Sequence, residues 1–194
     1  MRTTYACALA LSALLVACSS TMQVRSVQVP VKKMALFNSQ GKKLYLDRLV
    51  LPLTKDNNIG IRRTLAGDFW ARIKTESDLR TWAIGQWRQF LARHRQIVVA
   101  NPDQADYYIQ CDITRLEVVK QYEWIWDDEF RAYVEMRVAV RDRLSSKIIK
   151  TQSLDAQVSK ERANDDKGRI SDDEMLNACL NSAFQEALEK LTMP

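Results

Sequence analysis

Histidine is nearly absent from this chain, with His94 the only one in 194 residues. Metal sites and nucleophile–histidine pairs both need imidazole beside other donors or acids, so one isolated ring argues against either. Glycine is scarce too, with 5 residues, and none falls in a GxxxxGK[ST] or GxGxxG spacing. The chain therefore has no loop built to cradle a phosphate. GxSxG and HExxH are missing as well. No block of like charge is long enough to follow a nucleic-acid backbone, and a formal net charge of +5 is a mild bias. No apolar run reaches the ~20 residues that a helix needs to span a bilayer. What remains is a chain 46% hydrophobic and 27% charged, the composition of a folded domain rather than a disordered one.

The N-terminus is where the sequence is most specific. Arg2 precedes an apolar run from Ala6 to Val16, followed by Leu15-Val16-Ala17-Cys18. A basic start, a short apolar core and small residues before a cut make a secretory signal. A cysteine directly after the cut resembles the lipobox of bacterial lipoproteins. The resemblance implies that residues 1–17 are a signal peptide and that the mature chain starts at Cys18. Its thiol would carry a diacylglyceryl group and its amino group an acyl chain, which are the only attached groups expected. One acyl chain holds a protein to a bilayer marginally, and two or more hold it stably. Ser19 stands where an Asp retains such proteins at the inner membrane. The expected location is therefore the outer membrane, facing the periplasm.

Residues 18–41 include Pro30 and Gly41 and read as a tether, with a short strand around Met34–Phe37. Residues 42–194 read as one domain. Lys43–Leu51 alternates and stops at Pro52, a first strand. From Thr54 to Thr75, Asn57, Asn58, Gly60 and Gly67 read as turns in a long loop. Leu79, Trp82, Ala83, Trp87, Phe90 and Leu91 recur at helical spacing, predicting a helix from Thr75 to Arg93 capped by Thr75 or Ser77. After a short strand at Ile97–Val99, Tyr107 to Val118 alternates, with a slip near Arg115 that a bulge explains. Phe130 to Arg141 is the cleanest strand, and pairing Trp124 with Phe130 sets Leu116 and Val118 opposite Val138 and Met136. Ile148–Val158 completes a meander. Ser171-Asp172-Asp173-Glu174 is a capping box ahead of a second helix with a regular apolar stripe. The expected fold is α+β, a mainly antiparallel sheet of about four strands with two helices packed on one face.

Chemistry is hard to find. His94 lies between Arg93 and Arg95 and is expected to be a surface residue at a helix end. Asp127-Asp128-Glu129 and Asp165-Asp166 lack the spacing of a calcium loop and read as solvated turns. No catalytic residue, metal or dissociable cofactor is expected. Beyond the signal and the anchor, Cys111 and Cys179 remain, both on predicted apolar faces. They are either two buried thiols or a bridged pair, since spacing alone cannot place their Cα atoms within about 7 Å. The most suggestive surface is the predicted hairpin tip with Tyr122, Trp124, Ile125 and Trp126. Aromatics of this kind concentrate at binding hot spots. Arg62 and Arg63 on the neighbouring loop are the second candidate contact.

Asn58-Ile59-Gly60-Ile61-Arg62, the helix around Leu79, the strand Ala105–Glu117 and the helix Leu176–Leu191 together resemble the YajG-like group of bacterial lipoproteins. The layout is also similar to the ABC-transporter auxiliary PqiC-like and the synthase-activating LpoB-like lipoproteins. One departure is Arg93-His94-Arg95-Gln96, where such families place a glycine. The resemblance implies non-enzymatic partners in the cell envelope and supplies no catalytic residue. The expected function is that of an envelope lipoprotein that binds a protein partner or another copy of itself, not nucleic acid. A carrier or chaperone for a lipid or other amphiphile is the alternative, and it needs an apolar cavity of about 300 Å³ or more.

Overall fold

The computed structural model describes residues 19–27, 29, 41–52, 57–64, 66–121, 128–163, 166 and 168–192. Two long strands form its spine, β6 (Tyr107–Gln121) and β7 (Asp128–Asp142), running antiparallel. Strict alternation makes β7 two-faced. Phe130, Ala132, Val134, Met136, Val138 and Val140 are all 2% exposed or less, while Arg131, Tyr133, Glu135 and Arg137 point the other way. β8 (Ile148–Arg162) pairs with β7 and completes the meander. The slip predicted near Arg115 is a register shift between Ile113 and Arg115, carrying the apolar side of β6 from Cys111 and Ile113 to Leu116 and Val118. The pairing predicted from phase differs. Leu116 faces Val134 and Val118 faces Ala132, not Val138 and Met136. An even slip leaves every apolar side chain on the same face, so alternation cannot choose between the two registers.

The sheet corrects the expected fold class. It has eight strands and is mixed, not about four and mainly antiparallel. The second edge of β6 is divided between two partners, each parallel to it. β2 (Lys43–Val50) lies along its first half and β3 (Asn58–Arg63) along its last residues. β3 turns back into the antiparallel β4 (Phe69–Thr75), and β1 (Ser19–Met22) runs parallel to β4 at the edge. The two-residue β5 (Ile97–Val98) pairs with β2. The stretch expected to be a long loop is thus largely a hairpin. Gly60 is not a turn residue there. A Cβ at Gly60 would lie 1.9 Å from the Val118 carbonyl oxygen, so glycine lets β3 approach β6. Nor is the start of the expected tether free, because Ser19–Met22 is part of the sheet and Met22 is buried in the core.

The helices follow from their caps. α1 (Leu79–Arg93) starts later than predicted because Thr75 still belongs to β4. Asp78 is its cap, its Oδ1 accepting from the Arg80 and Thr81 amides at 2.9 and 3.2 Å. α2 (Asp172–Glu189) opens with the predicted capping box, the Glu174 amide donating to Ser171 Oγ and the Ser171 amide to Glu174 Oε2. Trp82, Trp87, Phe90 and Phe184 from the two helices meet the inner face of the sheet in one core. Trp82 and Phe184 stack edge to face, with ring centroids 5.1 Å apart.

Between β1 and the core runs an extended strap, residues 23–27. Its backbone is read by α2 as a sheet neighbour would read it. Asn177 accepts from the Arg25 amide at 2.7 Å and donates to the Gln23 carbonyl at 2.8 Å. Asn181 accepts from the Val27 amide at 3.1 Å and donates to the Arg25 carbonyl at 2.9 Å. The spacing fits, since four helical residues rise about 6 Å and two extended residues about 6.6 Å. Ser77 Oγ takes the Val24 amide at 2.9 Å from the other side.

Candidate functional site

Strand directions gather several chain ends at one end of the sheet. β1, β4 and β7 begin there, and β3, β6 and β8 finish there. Ser19 pairs with Arg72, Arg63 with both Phe69 and Gln121, and Asp128 with Arg162. Cys18 is one residue before Ser19, and residues 122–127 join Gln121 to Asp128. Cys18, Tyr122, Trp124, Ile125 and Trp126 themselves lie outside the described residues, as does Met34–Phe37.

Just inside this end sits a buried charge network. Asp128 Oδ2 accepts from Arg162 Nη2 at 2.6 Å and lies 3.5 Å from Lys120 Nζ. Asp172, in the first turn of α2, accepts from Lys120 Nζ at 2.7 Å and forms ion pairs with Arg162 at 2.9 Å and Arg62 at 3.1 Å. Arg62 Nε also donates to Ser20 Oγ at 3.1 Å, tying in β1. The Lys120, Asp128 and Arg162 side chains are 4%, 1% and 5% exposed, so their charges are desolvated and must be paired. Lys120 and Arg162 flank the Phe130 ring at 5.6 and 5.2 Å. Burial works to raise the Asp172 carboxyl, but the Lys120 hydrogen bond and the charges of Lys120, Arg62 and Arg162 outweigh it. The result lies below the usual carboxylate value. What the network does is clamp, joining β3, β6, β7, β8, α2 and β1 at one point.

Of the two arginines expected at a contact surface, Arg62 is committed to this clamp. Arg63 is exposed and donates to the Gly67 carbonyl at 2.8 Å. Asp128, expected in a solvated turn, is fully buried. Of the other clamp residues, Asp172 was named only within the capping box, and Lys120 and Arg162 were not singled out from the sequence. Their signal was present, because Lys120 and Arg162 continue the inward phase of β6 and β8, where a charge must find a partner. Beyond the clamp, at the rim, stand Phe69 and Trp70, 57% and 46% exposed, with Arg63 and Arg72 beside them.

Elsewhere the candidates resolve as follows. Cys111 and Cys179 are buried free thiols, which burial pushes up to about 12 and about 11 respectively. His94 is not a surface residue: it is 9% exposed and packs on Phe90 at 4.5 Å between centroids, and burial lowers its pKa. Among the described residues, no group of three His, Cys, Asp or Glu is placed to hold a metal. No helix among them is long and apolar enough to cross a membrane. A groove of about 570 Å³ lies along the strap, lined by polar side chains including Arg25, Asp173, Glu174 and Asn177. It does not match the apolar cavity a lipid carrier needs, a groove of about 230 Å³ between α1, β2 and β5 is smaller than such a cavity, and Trp87, Phe90, Phe130 and Phe184 fill the core.

No protein-family model and no curated protein sequence matches the chain. Among solved structures it is similar to a DUF330-family protein from Xanthomonas campestris, 15% identical over 89% of this chain and 93% of that one, TM-score 0.48. A minor lipoprotein from Acinetobacter baumannii is 15% identical over 77% and 85%, TM-score 0.40. A PelC dodecamer from Paraburkholderia phytofirmans is 12% identical over 81% and 92%, TM-score 0.39. None of these singles out the YajG-like group, and at such scores none carries an argument about what the chain does.

Proposed function

We propose that this chain is an outer-membrane lipoprotein, held by acyl groups on Cys18, that faces the periplasm and serves an envelope assembly by binding protein. The observation that carries this reading is the junction of Leu15-Val16-Ala17-Cys18 with a strand that starts at Ser19. An anchor so placed holds a folded module against the bilayer and confines it to neighbours in the same envelope. A core filled by large side chains supports recognition at the surface over carriage of an amphiphile inside. The partner is another envelope protein or a second copy of the chain, and no enzymatic step is assigned. Intact mass of the mature protein should begin at Cys18 and include diacylglyceryl and N-acyl groups, and Cys18→Ser should release the chain from membranes. Crosslinking in whole envelopes should then capture a stoichiometric protein partner. A mature chain that starts elsewhere or lacks acyl mass sinks the anchor, and crosslinking with no such partner sinks the binding role.

A further inference from the structure

If Cys18 is acylated, the anchor has almost no leash. The modified position directly precedes the first residue of β1, and β1 is fixed by its ladder to β4, from Ser19 against Arg72 to Met22 against Thr75. Downstream, the strap is tied by Ser77, Asn177 and Asn181, so slack cannot be drawn from that side either. The acyl chains therefore enter the bilayer at the end of the sheet where β1 begins. That end must rest on the headgroups.

The residues waiting there suit a lipid surface. Phe69 and Trp70 are large, 57% and 46% exposed, and precede Arg72, the residue opposite Ser19. Aromatic rings with one wet side settle at the headgroup level. Arg63 pairs with Phe69 across the hairpin, and Arg63 and Arg72 outnumber the neighbouring Asp68 on this stretch. Juxtamembrane cations are attracted to anionic headgroups. Ile170, 36% exposed, is on the loop whose backbone carbonyl Arg162 holds from the clamp at 2.6 Å.

We infer that the β3–β4 turn, led by Phe69 and Trp70 with Arg63 and Arg72, is a membrane-docking surface for anionic glycerophospholipid. It sets the orientation of the domain on the bilayer. This rests on the anchor proposed above, and two separate readouts keep the two claims apart.

The acylated full chain is reconstituted into vesicles of phosphatidylethanolamine and phosphatidylglycerol whose acyl chains are brominated near the glycerol. Tryptophan quenching reports contact, and intact mass reports acylation. With Trp124→Phe and Trp126→Phe present throughout, the parent should be quenched, and Trp70→Phe should remove most of that quenching, since the remaining Trp82 and Trp87 are in the core and out of reach of lipid. Arg63→Glu with Arg72→Glu should reduce quenching in these vesicles and leave it unchanged in pure phosphatidylcholine. Acylated protein in which Trp70→Phe changes nothing overturns the docking surface and leaves the anchor standing. Trp70 that stays open to aqueous iodide on the vesicle does the same and turns this rim over to a protein partner. A chain without acyl mass overturns both claims.

Discussion

Asp128 and Asp172 show what single residues do here. Each carboxylate holds more than one cation in a place with little water, so removing one leaves guanidinium or ammonium buried without its counter-charge. Asp128→Asn should destabilise the domain by about 3–5 kcal/mol, the usual cost of breaking a buried pair from one side. Urea unfolding followed by circular dichroism measures it. Asp172 adds a dependence on pH. Its carboxyl is depressed in the folded state, so its contribution is complete above the ordinary carboxylate value of 3.8 and fades as pH falls through the lower folded value. Asp172→Asn should therefore lower Tm at about pH 6 and approach wild type near about pH 3. A Tm difference that stays constant across that range would show that charge is not the cause.

At the scale of elements, the strap depends on two amides. Asn181 accepts from Val27, donates to the Arg25 carbonyl and accepts from Gln86 Nε2 at 2.7 Å. Asn181→Ala leaves these buried groups without it and should cost about 1–3 kcal/mol. The Arg25 side chain is already exposed and its backbone would be released, so limited trypsin digestion should cut after it markedly faster than in wild type. An unchanged cleavage rate would mean the strap is held by β1 and Met22 instead. Elements of strong period were legible in the sequence, including β7, the capping box of α2, the tryptophan face of α1 and the slip near Arg115. The hairpin of β3 and β4 was not, because each strand is short and Gly60 and Asn58 look like turn formers. Yet Ala71, Ile73 and Thr75 do alternate inward. The asparagines at 177 and 181 interrupt no apolar stripe. They lie beside it, and only the structure supplies the backbone that they read. Which strands share the edge of β6 depends on contacts far apart in sequence, and local pattern carries no record of them.

For the whole molecule, the quantity that decides the proposed docking is the distance between position 18 and β1. Inserting a flexible Gly-Ser linker of about ten residues after Cys18 should lower the effective concentration of the docking rim at the bilayer. Trp70 quenching should fall while membrane retention stays complete. If quenching is unaffected, the rim binds lipid by its own affinity and the short leash is incidental. The candidate site was legible only in parts. The lipobox and Arg63 were visible in the sequence, but that β1 begins at the same end as Phe69 and Trp70 follows only from the parallel pairing of β1 with β4.

That same parallel pairing has a mechanical side. Tension applied at position 18 runs along the axis of β1, and the ladder to β4 resists along its length at once instead of opening bond by bond. The clamp through Arg62 and Ser20 shares the load. A module fastened this way resists unravelling from its own N-terminus.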